Sequence, residues 1–201
     1  MRTLLLVLPT LLLAACSGPA SEQTSSTTSP NPTEPLDTTR APSISAQADT
    51  LKVVRHRHDF SSPGHPDLFM LALRGTDLTT GEATFTITAA DGTTIFREVL
   101  QAADLEASLV YSMTGPTASK AEREAFIRKR MDEFFADKQF GKPAAAATEA
   151  APADTDQAAW EDLRKRPDAV YFRYLVGKEE QRRIAWSPLR KQVVRLPSTG
   201  G

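Results

Sequence analysis

Between residues 82 and 100 the side chains switch from polar to apolar at almost every step. Ala83, Phe85 and Ile87 alternate with Thr84, Thr86 and Thr88, the period-2 pattern of a strand with one buried face. Ala89-Ala90-Asp91-Gly92 follows as a tight turn, with Gly92 free to take positive φ. If Ala89 faces Thr93, Ile87 meets Ile95 and Ala83 meets Val99. That register leaves Phe96 beside Thr86 on the threonine-rich face, where it needs cover from another element or forms a small apolar patch. Upstream, "LKVVRHRH" (51–58) and "LFMLALR" (68–74) read as two further strands, the second apolar enough to be buried on both faces.

After residue 116 the period lengthens. Ser119 with Glu122 three residues on forms a capping box, and Ile127, Met131 and Phe134/Phe135 recur at helical spacing. "DTDQAAWEDLRKRPD" predicts a shorter helix with Trp160 and Leu163 on one face, stopped by Pro167. The Ala/Pro-rich segment between them, 141–156, reads as a mobile insertion. From Ala169 onward the pattern predicts three strands, turning at Gly177–Gln181 and at Ser187–Arg190. Strands, helices and strands in that order predict an α+β domain over 51–198. The expected architecture is one antiparallel sheet of about six or seven strands with two or three helices packed on one face. Tight hairpin connections exclude parallel neighbours there.

The N-terminal quarter has no such pattern. Residues 17–50 are rich in Ser, Thr and Pro and lack aromatics, so they bury too little to offset ordering entropy and read as a disordered tether. Its reach is on the order of 30 Å. Ahead of it, Arg2 precedes an apolar run from Leu4 to Ala15, broken only by Pro9 and Thr10. This is the layout of a secretory signal, and it is shorter than the roughly 20 residues a membrane span needs. Leu13-Ala14-Ala15-Cys16 resembles the lipobox of bacterial lipoproteins. The resemblance implies removal of residues 1–15, a covalent lipid on Cys16, and a tether over 16–50 that holds the domain at a membrane of the cell envelope. Ser17, in place of Asp, resembles the choice that sends such proteins to the outer membrane.

Composition narrows the chemistry. Cys16 is the only cysteine, so the domain has no thiol for a disulfide, a thiolate–metal site or a nucleophile. Lys and Arg number 24 against 25 Asp and Glu, for a net charge of −1, which gives no reason to expect a nucleic acid partner. The charge is unevenly spread. Residues 160–195 carry ten cations and five anions (+5), whereas residues 51–159 carry twelve and sixteen (−4). A basic face in the C-terminal third would suit anionic lipid or an acidic envelope polymer. The alternative is that these cations scatter and pair with Glu161, Asp162, Glu179 and Glu180.

All three histidines lie in "RHRHDFSSPGH" (55–65). On a strand His56 and His58 share a face, and His65 or Asp59 can close on them after the turn, a donor set suited to zinc or another late first-row metal. The plainer alternative is a solvated strand end. Ser61 and Ser62 neighbour His58, His65 and Asp59, but no Gly-x-Ser-x-Gly elbow is present, and sequence-adjacent loop residues seldom hold triad geometry. The carboxylates Glu122/Glu124 and Asp132/Glu133 belong to a salt-bridged helix face. Tyr171, Phe172, Tyr174 and Trp186 are expected in the core, with a ligand groove as the other possibility. The expectation is a lipid-anchored envelope protein whose domain is a non-enzymatic binding or structural module for an envelope protein or polymer. The alternative is a small metal-dependent or hydrolytic enzyme using His56, His58 and His65.

Overall fold

The computed structural model describes residues 42–151 and 156–197. The expected signal, Cys16 and most of the expected tether therefore lie outside the described residues. Strands β1 (Thr50–His58), β2 (Asp67–Arg74), β3 (Glu82–Thr88) and β4 (Thr94–Gln101) form one antiparallel meander. Then come α1 (Ala102–Glu106), a 3-10 turn, α2 (Lys120–Asp132), a second 3-10 turn and the short β5 (Phe140–Gly141). Helix α3 (Gln157–Arg164) precedes β6 (Tyr171–Val176), β7 (Glu180–Ser187) and β8 (Gln192–Leu196), and β5 to β8 form a second antiparallel meander.

Among the described residues the class is α+β with antiparallel sheets and three α-helices, but the strands divide into two sheets of four instead of one sheet of six or seven. Each meander has one strongly apolar face, and the two faces bury each other. Phe69, Leu71, Phe85, Ile87, Phe96 and Leu100 of the first sheet share a core with Phe172, Tyr174, Ile184 and Val193 of the second. Edge-to-face contacts knit it: Phe69–Phe172 at 5.4 Å and Phe85–Tyr174 at 5.4 Å between ring centroids. Such pairs each contribute about 0.5–1.5 kcal/mol beyond area burial.

The helices do not share one face. Leu105, Ile127 and Met131 of α1 and α2 enter the core between the sheets. Helix α3 lays Trp160 and Leu163 on the far side of the second sheet, against Ala185 and Leu196. Ala144 and Ala145, within the stretch expected to be mobile, are buried in this second cluster. The Ser119–Glu122 capping box forms as expected, while Asp156 caps α3 through the amides of Ala158 and Ala159.

The β3–β4 hairpin corrects the expected register. Ala89 does face Thr93, with its amide 2.8 Å from the Thr93 carbonyl, and Gly92 adopts φ +90°. One step later the ladder slips: Thr88 pairs with Thr94, but Ile87 pairs with Phe96. Ile95 is the extra residue of a β-bulge, which reverses the facing of every later β4 residue relative to an unbulged pairing. Phe96 thereby enters the core, fully buried, and no exposed patch results. Leu100, not Val99, meets Ala83. The same slip turns Glu98 inward.

Candidate functional site

At the end of the sandwich where the β1–β2, β3–β4 and β7–β8 turns meet, the sheets part around a cleft of about 620 Å³. That volume falls within the range of small-ligand sites. Its apolar walls are Ile95, Ala89, Ala90 and Trp186, and its polar rim is Ser61, Ser62, His65, Asp91, Lys191 and Gln192. Trp186 also borders a smaller neighbouring hollow, with Asp59, Arg166 and Asp168.

Three local features build the cleft. The bulge delivers Ile95 to its wall. Trp186 packs one side of its ring on the core. Lys191 sits in the left-handed region at φ +53°, a conformation that favours glycine and that costs a lysine free energy. The loop 59–66 is held from below by Asp67, which is fully buried and accepts hydrogen bonds from the Ser61 amide at 2.6 Å and the Ser61 hydroxyl at 2.8 Å. Burial pushes the Asp67 carboxyl up, against the lowering pull of those Ser61 bonds. Nothing in the local sequence pattern marked Asp67, and Lys191 stood out only as one of the C-terminal cations.

Among the described residues the loop serines and histidines form no Ser–His hydrogen bond, as the sequence-adjacent arrangement suggested. The Ser61 hydroxyl donates to Asp67, and His58 Nδ1 lies 2.8 Å from the carbonyl of Asp59. His56 and His58 do share a face, and both stack on Phe140 of β5, at 5.3 and 4.0 Å. They close the edge of the sandwich where β1 and β5 approach. His65 is elsewhere, on the cleft rim. Among the described residues no group of three or more potential ligands converges on a metal position.

The most unusual polar group is Glu98, buried between the sheets. It accepts from the Tyr174 hydroxyl and the Arg182 guanidinium, and from Arg195 Nη2 at 2.8 Å. Burial first, then the Glu98 charge, pushes the Tyr174 phenol well above its usual range. Three more C-terminal arginines pair with carboxylates: Arg164 with Glu161 at 2.8 Å, Arg166 with Asp162 at 3.1 Å, and Arg190 with Asp156 at 2.6 Å. Arg183 lies 4.7 Å above the Tyr171 ring and donates to the Ala144 carbonyl. Glu179 accepts from the Tyr111 hydroxyl instead of from a cation.

Compared with protein-family models, with curated proteins and with solved structures, the chain matches none of them. Among the described residues no helix is long and apolar enough to cross a membrane.

Proposed function

We propose that this protein is a membrane-anchored lipoprotein of the bacterial cell envelope, held by acylated Cys16, whose domain is a non-enzymatic binding module. The observation that carries the binding role is the cleft at Trp186. It offers an aromatic wall and a polar rim, while its serine, histidine and acidic side chains form no proton-relay pair. An apolar wall with a few polar groups suits capture of a partner segment or polymer unit better than bond cleavage. The attachment rests on Leu13–Cys16 and on the polar stretch that follows it.

One observation favours the alternative enzyme: Ser61, Ser62 and His65 line the same cleft. A single preparation tests both readings. Expressed in a bacterium that processes lipoproteins, the wild-type chain should fractionate with membranes, and Cys16→Ser should be released or left uncleaved. Unchanged attachment and processing in the variant would overturn the anchor. Added Zn²⁺ should leave the melting temperature of the protein unmoved. A stoichiometric shift that disappears in His56→Ala/His58→Ala would replace the binding module with the metal-dependent enzyme.

A further inference from the structure

The outer face of the first sheet presents cations that no carboxylate among the described residues neutralises. Phe69 and Leu71 point into the core, so Leu68 and Met70 point outward. Cross-strand pairing then sets Arg55, Met70, Thr86 and Arg97 in one outward row. The adjacent row holds Arg57, Leu68 and Thr88. Among the described residues Arg55 and Arg97 meet no carboxylate, and Arg57 reaches only the Pro66 carbonyl, at 3.5 Å. The Thr86 hydroxyl is buried in this face without a partner among them.

The described chain starts on this same face. Glu82, two rows below Arg97, points outward and accepts hydrogen bonds from the Ser43 amide and hydroxyl and the Ile44 amide. A row of alternating positions advances about 7 Å along a strand. The point where residue 42 leaves the sheet is therefore roughly 14 Å from the Arg55–Arg97 row, and 25 residues of sequence stand between it and Cys16.

We infer that this face docks on an anionic lipid surface, with Arg55, Arg57 and Arg97 at the headgroups and Leu68 and Met70 among them. The inference rests on the lipoprotein reading for its orientation, since a chain anchored at Cys16 leaves the domain at the edge of this face. Arginine suits phosphate through paired N–H donors, and the flanking apolar side chains tolerate the partly dehydrated boundary.

The test uses the chain from Ser17 onward, which carries no lipid, keeps every described contact and contains no cysteine. It is sedimented with phosphatidylglycerol-containing or pure phosphatidylcholine vesicles at low and at physiological salt. Binding is expected to the anionic vesicles alone and to weaken as salt rises. Arg55→Gln/Arg57→Gln/Arg97→Gln should weaken it about a hundredfold, from roughly fivefold per cation near an anionic surface. The charge-matched Arg128→Gln/Lys165→Gln/Lys178→Gln should bind as wild type. Should the face variant fail to fold, a polarity-sensitive dye at Thr88→Cys should shift on anionic vesicles while one at Lys178→Cys does not. Absence of binding, equal loss in the control variant, or binding to soluble polyglutamate but not to vesicles would overturn the proposal. Because the chain is unlipidated, such a failure leaves the Cys16 reading standing, and the Cys16→Ser fractionation fails or succeeds without reference to these arginines.

Discussion

The two sheets are built alike but differ in how many of their arginines meet a carboxylate. Both are four-stranded antiparallel meanders, and both turn large apolar side chains toward a shared core. Behind the second sheet lies α3, and around that sheet Arg164, Arg166, Arg182, Arg190 and Arg195 reach carboxylates, while Arg173 and Arg183 donate to backbone carbonyls. On the first sheet Arg55 and Arg97 reach none among the described residues. The segment charges point the other way: +5 over residues 160–195 and −4 over residues 51–159. Segment charge counts ions before folding pairs them. What a partner meets is the charge left over, and that is decided by which strand face each residue occupies.

The comparison breaks most sharply at Glu98, the acceptor that joins the sheets. Glu98→Gln keeps the volume and leaves Tyr174 an acceptor, but it leaves Arg182 and Arg195 facing a neutral amide. Removing one partner of a buried pair typically costs about 3–5 kcal/mol, and Arg182 still has Glu180 at 2.5 Å, so the lower end is expected. Urea unfolding monitored by Trp fluorescence measures it. A loss under about 1 kcal/mol would mean that these guanidiniums need no charge there, and that the second sheet neutralises its arginines no better than the first.

Glu98 also shows where the sequence stops being legible. The strands of both meanders other than β5, the Ser119 cap and the Trp160–Leu163 helix face were readable, because each is a local periodicity or a local hydrogen bond. The register of β4 was not. One bulge residue, Ile95, separates a face holding Phe96 and Glu98 from one holding Ile95 and Arg97, and the alternation is equally good either way. The misplaced Phe96 was itself the signal, since a bulge is the least costly way to bury it. Partition into two sheets was hidden for a related reason: β5 has two residues, too few for any period. Of the site, the loop serines and His65 were in view as chemistry, but their cleft depends on three turns distant in sequence.

A smaller effect tests how the chain joins the first sheet. Burial pushes the Glu82 carboxyl up, but hydrogen bonds from Ser43, Gln101 and Ile44 outweigh it and hold the group below its ordinary range. A carboxylate lowered in the folded state stabilises the docked segment fully above its unfolded value, and loses that contribution as pH falls through the folded value. The Ser43 and Ile44 amides should therefore be protected from hydrogen exchange, after correction for intrinsic rates, at neutral and mildly acid pH. They should lose protection in stronger acid before β6 and β7 do. Glu82→Gln should bring the loss to neutral pH. Protection of Ser43 independent of pH would mean that the segment is held by packing and not by this carboxylate.

The smallest expected effect bears most directly on the contrast between the sheets. If Arg55 and Arg97 are held for a partner and not for the fold, Arg55→Gln/Arg97→Gln should change unfolding free energy by no more than about 0.5 kcal/mol, as surface substitutions do. Relief of repulsion adds little. The two residues stand three strand spacings apart, roughly 14 Å between backbones, beyond a Debye length of about 8 Å at physiological salt. The matched experiment on the second sheet is Arg182→Gln, which strips Glu98 of one counter-charge inside the core and should cost several times more. Urea midpoints for the two variants measure the difference directly. If the outer-face pair cost more than about 1 kcal/mol, its arginines would be structural like those of the second sheet, and the asymmetry between the sheets would be one of exposure alone.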